Sequence, residues 1–192
     1  MQPSAVILAG GESKRMGRDK AWLEFAGRPL IAHAVDKITA LGVREIFISG
    51  RAWQDFSAWK LPVLFDLEPG FGPLGGIERA LHECQSPLLL VLAVDLPGMT
   101  PEFLHKLTAR CDRLTGVIPK LNGELEPLAA IYPKRCHAFA FSAIARSRHA
   151  ARGFAEACLQ DRAVRTFPIP RSDAPCFANC NCPADVGGEN LS

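Results

Sequence analysis

The feature that most constrains the fold is the start of the chain, where a short apolar run ends in a pair of glycines. The run over 5–8 predicts a buried parallel strand, and Gly10-Gly11 ends it. Glycines at the end of a strand let backbone N–H groups approach a ligand, because no Cβ stands in the way. Cationic side chains follow, which suit a polyanion such as a nucleoside triphosphate unless they only solvate a surface loop. They are Lys14, Arg15, Arg18 and Lys20.

Further apolar runs alternate with helical patterns through the first half of the chain. Strands are predicted over 45–49, 62–65 and 88–94, and an amphipathic pattern predicts a helix over 29–41. The alternation predicts an α/β fold of three layers, with a doubly wound, mostly parallel sheet of Rossmann-like nucleotide-binding topology.

The second half of the chain carries a strong hairpin signal at Asn122-Gly123. We therefore expect a small hairpin insertion or a mixed edge, with a strand over 116–120 and a return strand over 127–132. The remaining predicted elements are helices over 77–83, 102–110, 136–148 and 153–160, and a last strand over 164–169.

Length and composition indicate one large α/β domain. The 192 residues are 48% hydrophobic, so we expect a single domain over 1–186 and a disordered tail over 187–192. A formal net charge of +2 gives no indication of nucleic-acid binding. No run approaches the roughly 20 apolar residues that cross a bilayer, and no signal sequence is apparent, so we expect a cytoplasmic location. We also expect a monomer.

The cysteines and histidines give little support for metal or nucleophilic chemistry. Seven scattered cysteines favour free thiols, and the group Cys176, Cys180 and Cys182 lacks the C-x-x-C spacing of structural zinc sites, which leaves its role open. We expect every histidine to lie in a helix, as a satisfied or exposed side chain. These are His33, His82, His105, His137 and His149.

Polar features are predicted to collect at one edge of the sheet. In doubly wound sheets, ligands bind outside the carboxyl ends of the strands. The Gly10-Gly11 segment, Asp66 with the glycine-rich loop 70–76, and Asp95 all follow predicted strands. The pattern therefore predicts a single site on this rim.

Asp95 is the strongest candidate for a metal ligand. It ends an apolar strand, and Thr100 already suits the N-cap of the helix that Pro101 begins, although a capping role for Asp95 stays an alternative. Mg²⁺ needs few protein oxygens and takes its other ligands from phosphates and water. Such an ion would screen the charge of a triphosphate under in-line attack.

Arg15 and Lys20 are candidates for stabilising charge on the phosphates, while Lys14 and Arg18 are expected to be solvated. Asp66 either accepts hydrogen bonds from a base or substrate, or caps the following loop. The first glycine-rich segment is neither a Walker A sequence nor G-x-G-x-x-G, which disfavours hydrolase-type phosphate handling and dinucleotide redox cofactors.

These residues resemble a known family. The segment Leu8–Lys20 is similar to the signature of nucleotidyltransferases that load a phosphorylated acceptor, and most closely to the molybdenum cofactor guanylyltransferases of the MobA type. The resemblance extends over nearly the whole chain, through segments 27–30, 48–51, 72–76, 93–97, 126–128 and 179–183.

The resemblance implies transfer of GMP from GTP to Mo-molybdopterin, with Mg²⁺ as cofactor and pyrophosphate as the other product. It implies that Leu8, Ala9, Gly10 and the adjoining Gly11 bind the nucleotide through their backbone and that Lys20 binds its phosphates. It further assigns Asp66 to GTP, and Asp95 to both GTP and Mg²⁺. Other proteins of molybdenum cofactor biosynthesis and acceptor molybdoenzymes are implied as transient partners.

The chain departs from the family pattern at two places. Where the family often has Asn after the second strand, this chain has Ser49-Gly50-Arg51, and Cys182 stands where the family has Thr. Asn179 and Asn181 are the implied acceptor contacts, unless they only fix a turn before Pro183.

Three functions stay open at this point. Related cytidylyltransferases usually have Ala where this chain has Gly10, and the missing methyl favours a purine donor. A cytidylyltransferase or sugar-phosphate type of nucleotidyltransferase is the first alternative to the guanylyltransferase. A non-catalytic nucleotide-binding regulator is the second.

Overall fold

A computed structural model describes residues 2–10, 19–65 and 70–180 of the chain. Gly11, Arg15, Asp66, Asn181 and the expected tail over 187–192 lie outside the described residues. No helix in the described ranges has the length and apolar character needed to cross a membrane.

The described elements alternate between strands and helices. The strands are β1 Ser4–Leu8, β2 Glu24–Phe25, β3 Arg28–Pro29, β4 Ile46–Gly50, β5 Val63–Phe65, β6 Leu88–Ala93, β7 Gly116–Leu121, β8 Glu124–Leu125, β9 Ala129–Pro133 and β10 Val164–Pro168. The helices are α1 Leu30–Ala40, α2 Gly72–Glu83, α3 Pro101–Thr108, α4 His137–Ala145 and α5 Ala151–Gln160. Short 3-10 helices occupy Lys20–Trp22, Ser57–Trp59, Lys134–Cys136 and Arg171–Phe177.

The main sheet has the strand order β10-β7-β9-β6-β1-β4-β5, with β8 paired to β7. Strand β1 lies between β6 and β4 and is parallel to both. The chain runs outward from β1 through β4 to β5 and then returns to the other side of β1, which makes the carboxyl end of β1 a topological switch point. The predicted doubly wound, mostly parallel α/β fold is confirmed.

The hairpin does not end in an edge strand. Asn122 and Gly123 both have positive φ, at 50° and 90°, as a two-residue turn between β7 and β8 requires. The return strand β9 then inserts between β6 and β7, antiparallel to both. All five of its residues are buried, so the apolar sequence of this strand reflects an interior position in the sheet.

Two apolar layers cover the sheet. On one face, α1, α3 and the segment around Phe177 pack on alternate residues of the strands, such as Ala5 and Ile7 of β1. On the other face, α2, α4 and α5 pack on the residues between them, such as Val6 and Leu8. This is the predicted three-layer arrangement, and it leaves the strand ends open as a rim.

Two local predictions are wrong. Helix α2 begins at Gly72 and not at Ile77, because Gly76 packs so closely on β4 that a Cβ there would lie 2.1 Å from the Ser49 hydroxyl oxygen. His149 lies between α4 and α5 and not in a helix, because α4 ends at Ala145 and Ser147 turns the chain at a φ of 55°.

Candidate active site

A cleft of about 650 Å³ opens at the carboxyl ends of β1, β4, β5 and β6. It lies at the topological switch point, where doubly wound sheets bind ligands. The described rim features that the sequence predicted all line it, including Gly10, Asp95 and the Gly70–Gly72 turn. The lining residues are Leu8, Gly10, Lys20, Ser49–Trp53, Phe65, Gly70, Gly72, Pro73, Ala93–Asp95 and Leu128.

An ion pair between Lys20 and Asp95 joins two sides of the cleft. The Lys20 Nζ donates to Asp95 Oδ2 at 2.7 Å, although 75 residues separate them in sequence. Both side chains are about one-fifth exposed, at 21% and 20%. The structure therefore brings together the cation and the carboxylate that the sequence placed in one site.

Asp95 does not cap helix α3. Thr100 caps that helix, with its hydroxyl oxygen accepting from the Phe103 N–H at 3.2 Å. The capping alternative for Asp95 is therefore wrong.

The loop that carries Asp95 is fixed by its backbone. The Cys180 N–H donates to the Asp95 carbonyl at 2.9 Å, and Lys37 Nζ of α1 donates to the Pro97 carbonyl at 2.6 Å. Burial lowers the pKa of Lys37 to about 8. Gly98 is also closely packed, since a Cβ there would lie 2.4 Å from the Pro175 carbonyl oxygen. These contacts hold the Asp95 loop between α1 and the C-terminal segment.

Lys20 is placed by a short 3-10 helix that Asp19 caps. The Asp19 Oδ1 accepts from the Ala21 N–H at 3.1 Å, and the ring of Trp22 stacks on Phe56 with centroids 5.8 Å apart. Ala21 is fully buried beneath this turn. Lys20 therefore extends into the cleft from a backbone that is anchored on both sides.

The end of β1 is held by its neighbours through several backbone groups. The Ala9 N–H donates to the Ser49 carbonyl at 2.8 Å, and the Leu8 carbonyl accepts from the Val94 N–H at 3.2 Å. The Gly10 carbonyl accepts from Arg51 Nε at 2.8 Å. Among described atoms, none would lie closer than 3.7 Å to a Cβ at Gly10, so the packing of these residues does not require glycine there.

The described lining of the cleft fits a magnesium ion held with the help of a nucleotide. Asp95 supplies a carboxylate at the rim, and within residues 2–10, 19–65 and 70–180 there is no cluster of three or more His, Cys, Asp or Glu side chains that would hold a metal. Mg²⁺ is commonly held by one or two carboxylates together with substrate phosphates and water, so the single carboxylate is sufficient. Five cysteines of the described part of the chain are free thiols, namely Cys84, Cys111, Cys136, Cys158 and Cys176.

Comparisons with known proteins identify the family of the chain. The sequence profile of the MobA-like NTP transferase domain matches residues 5–163. The chain belongs to this family. A relative from Opitutus terrae, named "Probable molybdenum cofactor guanylyltransferase", is 33% identical over 185 residues, which cover 95% of this chain and 92% of the relative. A relative of the same name from Pelotomaculum thermopropionicum is 36% identical over 71% of this chain and 66% of its own length.

Solved structures of the MobA-like NTP transferases and other nucleotidyltransferases share the fold. The molybdopterin-guanine dinucleotide biosynthesis protein A of Archaeoglobus fulgidus superposes with a TM-score of 0.73 at 25% identity, covering 95% of this chain and 94% of that protein. The 2-C-methyl-D-erythritol 4-phosphate cytidylyltransferase of Thermus thermophilus superposes with a TM-score of 0.72 at 17% identity, covering 97% and 96%, and shows the fold alone.

Some of the predicted site residues of this MobA-like chain lie at the cleft, and others lie outside the described residues. Gly10, Lys20 and Asp95 line the cleft together with Leu8, and Ala9 lies buried beside them. Asn179 is exposed and precedes Cys180, whose N–H binds the Asp95 backbone. Gly11, Arg15, Asp66 and Asn181 lie outside the described residues.

The sequence reasoning missed Gln54, Trp53 and Phe65. Gln54 is only 7% exposed and bonds to Ala9, Asp19 and Arg51. Trp53 and Phe65 line the cleft while staying 67% and 45% exposed. The available signal was the cluster of aromatic residues in 53–59, which has Gln54 next to Trp53.

Proposed function

We propose that this protein transfers the GMP of GTP to the phosphate of molybdopterin, which forms the molybdopterin guanine dinucleotide and releases pyrophosphate. The observation that carries the proposal is the Lys20–Asp95 pair in the cleft at the switch point. The names of the relatives from Opitutus terrae and Archaeoglobus fulgidus support the choice of substrates.

The nucleoside is assigned to the side of the cleft formed by β1, β4 and β5. The Leu8 and Gly10 carbonyls and both backbone groups of Ala9 are bonded within the protein. The Gly10 N–H is therefore the backbone donor that we assign to the nucleotide, while Leu8 contributes an apolar surface. The exposed rings of Trp53 and Phe65 offer faces on which a purine can stack. The resemblance adds Asp66 and Gly11 to this side.

The phosphates are assigned to Lys20, with Arg15 as a second cation from the resemblance. In the free protein, Lys20 and Asp95 neutralise each other at 2.7 Å. In our proposal, the Lys20 ammonium exchanges the Asp95 carboxylate for phosphate oxygens when the nucleotide binds. The open N-terminal turn of α2, at Gly72 and Pro73, adds the positive end of a helix to the same cleft.

Asp95 is the residue that we assign to Mg²⁺. When bound, the ion supplies positive charge that screens the phosphates. A carboxylate released from Lys20 is available to hold it, and the fixed backbone of the Asp95 loop limits the movement of that carboxylate.

The transfer needs no general base from the protein. A phosphate oxygen of the acceptor attacks the α-phosphorus of GTP, a new phosphorus–oxygen bond forms, and the bond to the β-phosphate bridging oxygen breaks to release pyrophosphate. The second pKa of a phosphomonoester is about 6, so the attacking oxygen is already ionised at neutral pH. This agrees with the described lining of the cleft, which includes no histidine.

The acceptor is assigned to the opposite side of Asp95. In support of this assignment, the Cys180 N–H binds the Asp95 carbonyl, so the adjacent Asn179 lies next in sequence to a residue that contacts the Asp95 loop, and Leu128 of the segment before β9 lines the cleft. Asn179 and Asn181 supply amide groups that suit the polar edge of a pterin. These two asparagines are the acceptor contacts of our proposal.

The test is a donor and acceptor screen. The protein is incubated with Mg²⁺, purified molybdopterin and each of ATP, GTP, CTP and UTP, and pyrophosphate release is followed. We expect release with GTP only, and only when molybdopterin is present. Preference for CTP would contradict the argument from Gly10, and tight GTP binding without release under any condition would favour the regulator.

A further inference from the structure

We infer that Gln54 is a positioning residue of the nucleotide site, which holds together the two ends of the segment between Gly10 and Lys20. The inference rests on the proposed function, because it takes GTP as the ligand. Gln54 lies in the turn after β4, well away in sequence from the residues that it joins.

The side-chain amide of Gln54 makes a bond to each side of the segment. Its Nε2 donates to the Ala9 carbonyl at 3.0 Å, where β1 ends, and also to Asp19 Oδ2, where the chain re-enters the site. Its Oε1 accepts from the Arg51 N–H at 2.5 Å. The amide orientation is set by its partners, because Nε2 faces two acceptors and Oε1 faces a donor.

The Gln54 side chain makes these three hydrogen bonds in a buried position, and both N–H groups of its amide are bonded. Gln54 is 7% exposed, one of three polar or charged residues in the described ranges that are buried to this extent. A buried amide that loses its partners costs more than an exposed one, so the site strongly favours this single arrangement. The turn 51–56 folds tightly over the end of β4, because Gly50 has no Cβ; a Cβ there would lie 2.5 Å from the Phe56 ring. This close packing buries Gln54.

Each partner of Gln54 contacts a residue that the proposal assigns to GTP. Asp19 caps the 3-10 helix that carries Lys20, and it does so with Oδ1 while Oδ2 accepts from Gln54. Arg51 binds the Gly10 carbonyl through its Nε. Gln54 therefore fixes the backbone positions of Gly10 and Lys20 relative to one another, without being one of the residues that line the cleft.

The test compares Mg-GTP affinity by calorimetry in the full-length protein. Gln54→Met keeps the volume of the side chain and removes all three bonds, and we expect it to weaken the affinity by about tenfold or more at a temperature where circular dichroism shows the variant folded. Gln85→Met is the matched control, because this exposed glutamine lies before the amino end of β6, and the variant should bind as the wild type does.

A second variant separates positioning from a general loss of stability. Gln54→Glu keeps the acceptor for the Arg51 N–H, but its ionised carboxylate faces both the Ala9 carbonyl and the Asp19 carboxylate. When protonated, the new carboxyl can donate to Asp19 again. We therefore expect its affinity, relative to the wild type at the same pH, to recover several-fold between pH 8 and pH 6.

The outcomes are distinct. If the wild type binds Mg-GTP and the folded Gln54→Met variant binds equally well, the inference is wrong while the proposed function stands. A pH-independent ratio for Gln54→Glu would likewise contradict it. If the wild type itself fails to bind Mg-GTP, the proposed function is overturned, and this inference with it.

Discussion

Two glycines on the same rim have opposite surroundings. A Cβ at Gly76 would lie 2.1 Å from the Ser49 hydroxyl oxygen and 3.0 Å from Leu8. A Cβ at Gly10 would lie 3.7 Å from the nearest described atom, the Gly50 Cα. Gly76 is therefore required by the packing of α2 on the sheet, while Gly10 leaves space in the cleft. The contrast separates rim residues that serve the fold from those that serve the ligand.

We assign Asp95, like Gly10, to ligand binding and not to the packing of the fold. Substitution of Asp95 tests this assignment and has the largest expected effect. We expect Asp95→Ala to lower the rate of GMP transfer by about a thousandfold, roughly 4 kcal/mol of transition-state free energy, because the charge of the metal and phosphates loses its carboxylate. The thermal unfolding midpoint should change little, since Thr100 caps α3.

The matched control is Asp36→Ala, which removes an exposed carboxylate paired with Arg28. It should leave the rate unchanged. A near-normal rate for Asp95→Ala would show that Asp95 takes no part in catalysis, and would contradict its assignment to ligand binding.

Gly76→Ala tests whether the packing of α2 on the sheet requires glycine. The new methyl group would overlap Ser49, so we expect a loss of about 1–3 kcal/mol in the free energy of unfolding, measured in urea. Gly153→Ala is the control, because no described atom lies within 4 Å of a Cβ at that position of α5. That variant should be slightly more stable than the wild type, and equal effects from the two substitutions would refute the packing argument.

Gly10→Ala tests whether Gly10 serves ligand binding, and its expected effect is smaller than that of Asp95→Ala. We expect the free energy of unfolding to stay within about 0.5 kcal/mol of the wild type, while Mg-GTP affinity falls by about tenfold, roughly 1.4 kcal/mol. Calorimetry and urea unfolding on the same sample measure both quantities. A loss of stability as large as that of Gly76→Ala would show that the two glycines have the same role.

Lys37 gives a further test of the packing, through the pH dependence of stability. Its pKa is lowered to about 8 in the folded protein by burial, so between about pH 8 and its ordinary value of 10.5 the unfolded chain binds more protons. The free energy of unfolding contributed by this group therefore rises with pH across that window. Urea unfolding of the wild type and Lys37→Met from pH 8 to pH 10 should show this rise in their difference.

Thiol ionisation acts in both proteins and cancels in that comparison. Burial raises the pKa of Cys84 to about 11 and that of Cys111 to about 12, which lowers stability as pH rises above 9. A difference between the two proteins that is flat with pH would contradict the buried environment of Lys37.

The sequence was most informative where a pattern is local. The apolar strands, the Thr100 cap and the Asn122-Gly123 turn each follow from adjacent residues, and the carboxyl ends of parallel strands then collect Gly10, Lys20 and Asp95 at one rim. The positions of Gly11, Arg15, Asp66 and Asn181 stay predictions.

The sequence was least informative where distant segments decide the structure. The glycines of 70–76 disfavour a helix by intrinsic propensity, and only close packing on β4 makes the helical start at Gly72 favourable. The place of β9 between β6 and β7 depends on pairing that adjacent residues do not encode. Gln54 is recognisable only when β1 and Asp19 are brought around it.

The fate of the α-phosphate of GTP shows whether the protein transfers GMP to molybdopterin. The protein is incubated with Mg²⁺, molybdopterin and GTP labelled at the α-phosphorus in a single turnover, and the label is traced by chromatography. We expect the label to enter a pterin dinucleotide in the wild type, and we expect Lys20→Met and Asp95→Asn each to lower this transfer by at least about a hundredfold. Absence of label from any pterin product, or transfer at the wild-type rate by both variants, would contradict this proposal.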